Sequence, residues 1–127
     1  MPFARPVLIV DDDDDIREAL TDTLEDNGFR VLTAVNGLEA LRLLRTGPVA
    51  PAVILLDLMM PVMDGYGFLA EQHQDPQLAA IPVAVITAGH GVDRSRLGEA
   101  LLVIPKPIKV PYLLDVLERL HAEHTPA

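Results

Sequence analysis

AVILLDLMMPVMDGYGFL, residues 52–69, carries the pattern that decides the fold. Its opening run, Ala52 to Leu56, is apolar throughout, with β-branched Val53 and Ile54. A strand without polar alternation is buried on both faces, as in a parallel sheet covered by helices. Asp57 follows at once, then a Met- and Pro-containing loop. Asp64-Gly65 reads as a turn and helix start, and Gly65 to Gln74 as a helix with Phe68 and Leu69 inward. Strand, carboxylate and helix thus follow one another within one short unit.

The same unit recurs on both sides. Apolar runs lie at Val7 to Val10, Arg30 to Val35 and Pro82 to Ile86, with a weaker one at Leu101 to Ile104. Between them, Ile16, Leu20 and Leu24 recur every four residues and meet a stop at Asn27-Gly28. Asn36 suits the N-cap of a helix carrying Leu38, Leu41 and Leu44, which closes near Gly47-Pro48. Asp93 to Ala100 is expected to form a short fourth helix. Pro111 fits a first helical turn, followed by a stripe of Leu113, Leu114, Leu117 and Leu120, and the polar tail from His121 is expected to fray. The alternation βαβαβαβαβα predicts an α/β fold with a doubly wound, five-stranded parallel sheet. No repeat or linker interrupts it, so residues 1–127 are expected to form a single domain, with a core of about 5–121 and a tail of 122–127.

Composition narrows the function. Half of the 127 residues are hydrophobic but only 4% are aromatic, so Leu, Val, Ile and Ala must build the core. A net charge of −9 argues against direct binding to nucleic acid or to an anionic membrane. Without Cys there are no disulfides or thiolate metal sites, which is compatible with a reducing cytoplasm, the expected location. The apolar run near the N-terminus is too short for a signal peptide, and no run approaches a membrane span.

In doubly wound sheets, ligands bind at the carboxyl ends of the strands. Those ends supply Asp11 and Asp12, Asp57, Thr87 and, after Pro105, Lys106. Two unit charges about 4 Å apart repel by roughly 4 kcal/mol at an effective dielectric of 20, so clustered carboxylates need positive charge. Lys106 supplies one charge, and an oxygen-ligated divalent cation such as Mg²⁺ would supply two more. An Asp carboxylate is a nucleophile toward phosphorus, so the site suits cation-assisted phosphoryl transfer onto an Asp. Asp13 to Asp15 read as a solvated acidic loop, one of them capping the first helix. An EF-hand loop is excluded, because its required Gly and Glu are Ile16 and Asp22 here. His73, His90, His121 and His124 are scattered and suggest neither a metal site nor a phosphate donor.

VLIVDDDDDIREAL, LLDLMMPVMDGYGFL, VITAGH and IPKP together resemble the receiver domains of two-component response regulators over nearly the whole chain. DLMMPVMDG is the most specific piece. The resemblance implies the flavodoxin-like receiver fold with strand order 2-1-3-4-5, standing alone without an effector domain. It implies Asp57 as phosphoacceptor, and Mg²⁺ or Mn²⁺ held by Asp12, Asp57 and the backbone carbonyl of Met59, with Asp11 acting mainly through water. Thr87 would hydrogen-bond the phosphoryl group, and Lys106 would pair with Asp57 and then with that group. Lys106-Pro107 would be cis. The implied donor is a sensor histidine kinase or histidine phosphotransfer protein, and the output is a protein contact. The chain would be no ordinary enzyme, only a phosphoacceptor with its own Mg²⁺-dependent autophosphorylation and autodephosphorylation chemistry.

Two features depart from the family. Val103 stands where a Tyr or Phe is common, three residues before the lysine, and the interval from Thr87 to Lys106 is a few residues short. The Gly89-His90-Gly91 loop is expected to be mobile. Two other functions compete: a phosphorylation-independent interaction module, and a phosphohydrolase with an Asp nucleophile. Haloacid-dehalogenase enzymes place a second Asp two residues after the nucleophile, where this chain has Met59.

Overall fold

Each apolar run becomes a parallel strand, and each amphipathic stretch after it returns the chain across one face. The computed structural model describes residues 3–88, 92–97 and 102–124. The strands are β1 (Val7–Val10), β2 (Val31–Ala34), β3 (Val53–Asp57), β4 (Val83–Thr87) and β5 (Leu102–Pro105). The α-helices are α1 (Asp14–Asp26), α2 (Gly37–Thr46), α3 (Gly65–Gln74) and α4 (Val110–His124). All strands pair in parallel in the order β2-β1-β3-β4-β5, which agrees with the expected doubly wound sheet.

Alternate side chains of the central strands feed two separate cores. Ile9, Val53, Leu55 and Ile86 pack with Leu20 and Leu24 of α1 and with Leu113, Val116, Leu117 and Leu120 of α4. Leu8, Val10, Ile54, Leu56 and Val85 pack on the opposite face with Ala40 and Leu41 of α2 and with Phe68 and Leu69 of α3. Every residue of β1, β3 and β4 is buried, which accounts for the absence of polar alternation in those runs.

Helix starts are capped as the acidic and amide residues suggest. Asp13 accepts from the N–H groups of Asp15 and Ile16, Asn36 from Glu39, and Asp64 from Gly67. Three details differ from expectation. In α2 the buried face is Gly37, Ala40 and Leu41, whereas Leu38 is exposed. Gly37 lies against the β3–α3 loop, where its N–H donates to the Met63 carbonyl at 2.9 Å, while Leu41 is buried and Leu44 packs against the core. The described part of the expected fourth helix is a single 3₁₀ turn, Arg94–Arg96, capped by the Asp93 side chain. Leu97, the C-cap of that turn, is buried in the α2–α3 core. Finally, α4 continues through His124 rather than fraying from His121. The ring of His121 stacks on Phe3 with centroids 4.1 Å apart, which holds the last turns. Gly89, His90 and Gly91, residues 98–100 and Leu101 lie outside the described residues, as do residues 125–127. Among the described residues, no helix is long and apolar enough to cross a membrane.

Candidate functional site

Register brings the sequence-identified residues to one edge. Val10 pairs with Leu56 and Ile86 with Asp57, so Asp11 and Asp57 leave neighbouring strands at the same level. Thr87 is the last residue of β4 and pairs with Pro105 of β5. The Thr87 carbonyl accepts from the N–H of Lys106 at 2.8 Å, which fixes the start of the β5–α4 loop. The Lys106-Pro107 bond is cis.

Asp11, Asp12 and Asp57 each present a carboxylate oxygen, all within 4.8 Å of one another. Asp11 and Asp57 are buried, and Asp12 is exposed. One oxygen of Asp11 accepts from the N–H of Asp13 at 2.9 Å. Its other oxygen is buried with no hydrogen-bond partner. Asp57 Oδ1 accepts from the N–H of Met59 at 3.4 Å. The Lys106 ammonium stands 3.7 Å from Asp57 Oδ1 and 3.9 Å from Asp11 Oδ2.

The electrostatics follow from this geometry. Burial pushes the Asp57 carboxyl up to about 6, and the charge of Asp11 adds to the rise; Lys106 and the Met59 N–H oppose it. Burial likewise raises Asp11, against the Asp13 N–H and Lys106. One ammonium therefore does not balance three carboxylates. A buried carboxylate oxygen without a hydrogen-bond donor, inside an all-oxygen cluster, is suited to a hard divalent cation.

Met59 itself is largely exposed, Met60 is buried, and Met63 packs against the α2–α3 core. Val103 is half-buried against that same core. Two residues near the site were not singled out in the sequence. Arg17 donates from Nη1 to the Asp11 carbonyl at 2.9 Å and also pairs with Asp14, so α1 braces the β1 end. The available signal was an Arg one turn into a helix that follows an acidic run. Tyr66 accepts at its hydroxyl from the N–H of Asp93 at 2.8 Å. That partner is 27 residues away, and no local pattern announces it.

Comparison with known proteins agrees with the geometry. A sequence model described as the response regulator receiver domain matches residues 7–118. A response regulator receiver protein of Anaeromyxobacter is 39% identical over 88% of this chain and 47% of its own length. The chain spans less than half the length of several such curated relatives. Among solved structures, the receiver domain of a signal transduction histidine kinase from Syntrophus aciditrophicus is 32% identical, with a TM-score of 0.85 over 98% of this chain and 95% of that one. The receiver domain of a sensor histidine kinase from Pseudomonas aeruginosa, described with a magnesium ion in its active-site cleft, is 25% identical, with a TM-score of 0.83 over 94% of this chain and 99% of that one. Proteins of this kind are switches of two-component signalling, modified on an aspartate. By sequence match, strand order and carboxylate cluster together, this chain belongs to the response regulator receiver family.

Proposed function

We propose that this chain is a phosphorylation-dependent signalling switch that accepts a phosphoryl group on Asp57. The observation that carries the reading is the buried Asp57 carboxylate at the end of β3, flanked by Asp11, Asp12 and Lys106. A sensor histidine kinase or histidine phosphotransfer protein is the donor. An Asp57 carboxylate oxygen attacks phosphorus, an O–P bond forms, and the N–P bond to the donor imidazole breaks. The electron pair stays on that nitrogen, and the product is an acyl phosphate.

Asp12, Asp57 and the Met59 carbonyl would hold Mg²⁺ or Mn²⁺, with Asp11 reaching it mainly through water. The magnesium described for the Pseudomonas receiver domain supports this assignment. Such an ion supplies positive charge against the phosphoryl oxygens. Lys106 pairs with Asp57 before transfer and with the phosphoryl group afterwards. Thr87 donates its hydroxyl to a phosphoryl oxygen. The output is a contact with a further protein in the cytoplasm, and the same pocket carries slow autophosphorylation and autodephosphorylation.

Acetyl phosphate with Mg²⁺ tests the reading. Wild type should acquire a hydroxylamine-labile phosphoryl group, detected as a mass increment, and should acquire none when Mg²⁺ is chelated beforehand. Asp57→Asn should acquire none. Equal labelling of the Asp57→Asn protein would overturn the assignment.

A further inference from the structure

Tyr66 lies at the junction of three parts of the molecule. It is the second residue of α3, and its ring is buried in the α2–α3 core together with Leu97. Its hydroxyl accepts from the Asp93 N–H at 2.8 Å, and the Arg96 guanidinium lies 4.4 Å from its ring centroid. Asp93 in turn caps the 3₁₀ turn by accepting from the Ser95 N–H. One side chain on α3 therefore meets Asp93 and Arg96 directly and shares a core with Leu97. That segment follows Thr87, the end of β4.

At its other end, Tyr66 is coupled to the phosphoacceptor strand. Gly65, directly before it, donates to the Leu58 carbonyl at 2.9 Å. A Cβ on Gly65 would come within 2.7 Å of the Asp57 carbonyl oxygen and of Leu58 Cα. The first turn of α3 is thus pressed onto the backbone of Asp57 and Leu58 with no room for an added methyl. A displacement at that backbone is passed to Tyr66 without slack. The hydroxyl bond to Asp93 is directional, so a small movement breaks it, whereas burial of the ring in the apolar core tolerates sliding.

We propose that Tyr66 is the positioning residue that ties the 92–97 segment to the phosphoacceptor strand, and that modification of Asp57 reaches this segment through it. The proposal rests on Asp57 being the modified residue. The half-buried Val103, on β5, offers no hydroxyl or ring to serve in this way, whereas Tyr66 offers both from α3.

Amide NMR and hydrogen exchange on the full chain, with and without beryllium fluoride plus Mg²⁺, test it in wild type and Tyr66→Phe. Without the mimic, Tyr66→Phe should exchange the Asp93 amide about tenfold faster, as expected for one lost hydrogen bond, while the strand amides stay unchanged. In wild type, the mimic should shift Asp57 and Thr87 and also Asp93 to Leu97. In Tyr66→Phe, the shifts at Asp57 and Thr87 should persist and those at Asp93 to Leu97 should shrink. A wild type that responds at Asp57 but not at Asp93 to Leu97 would overturn the tie without any variant. So would a Tyr66→Phe protein with the full response in that segment. Silence at Asp57 and Thr87 as well would instead overturn the phosphoacceptor reading, and the tie with it.

Discussion

Asp57 and Asp11 both bind their protons more tightly in the folded chain than an ordinary Asp does, because burial, and then repulsion by neighbouring carboxylates, disfavours the charged forms. A folded-state value above the unfolded one means that stability is fullest below the unfolded value and is lost as pH rises through the folded one. For Asp57 that window runs from 3.8 to about 6. Metal-free protein should therefore weaken across this range. Asp57→Asn should remove the Asp57 share of the dependence and leave that of Asp11: nearly neutral at pH 4, it should stabilise the metal-free chain above pH 7 by at most about 3 kcal/mol. Thermal melts in EDTA across this pH range measure it. A variant less stable than wild type at pH 7.5 would show that the carboxylate contributes more through its contacts than it costs through its charge.

The elements between strands carry the next constraint. The β3–α3 loop turns at Val62, which has φ 68 and lies beneath a Met63 N–H to Pro61 carbonyl bond of 2.8 Å. This is a γ-turn-like closure centred on a β-branched residue, a conformation that costs about 1–3 kcal/mol. Val62 is 80% exposed, so its side chain recovers little by burial. Val62→Asn should stabilise the chain by about 1 kcal/mol, since Asn tolerates a positive φ far better. Urea unfolding should show a higher midpoint at unchanged slope. Much of this scale was legible in the sequence. All five strands lie within a residue or two of the apolar runs; β1, β3 and β4 carry the clearest signature because they are buried on both faces, and the edge strands β2 and β5 a weaker one. Caps at Asn36 and within Asp13 to Asp15 were legible because their bonds are local. In α2 the run was legible at Leu41 and Leu44 but not at Leu38, which is exposed, and the backbone contact of Gly37 with Met63 has no apolar signature. The 3₁₀ turn at Arg94–Arg96 and the Tyr66 hydroxyl contact depend on partners distant in sequence, so no periodicity could reveal them. The acidic cluster was legible for the opposite reason: strand ends in a parallel sheet converge whatever their separation along the chain.

For the molecule as a whole, cation binding and folding are linked. An ion that binds only the folded carboxylate cluster stabilises it by mass action, about 2.7 kcal/mol at a hundred times its dissociation constant. Protons compete for the same oxygens, so the Mg²⁺-induced rise in melting temperature should be large at pH 7.5 and should shrink as pH falls through about 6. Asp57→Asn should blunt the rise at every pH; a rise equal to that of wild type would place the ion elsewhere. The sheet order has a further consequence. β3 is bonded to β1 on one side and to β4 on the other, and all its residues are buried. Asp57 is therefore mounted on the strand that heat should loosen last, whereas the segment after Thr87 leaves the sheet and is held partly by a single hydroxyl. On warming, a phosphoryl group on Asp57, as proposed, should keep a folded mount after the 92–97 segment has let go, so that any molecule still carrying the mark falls silent.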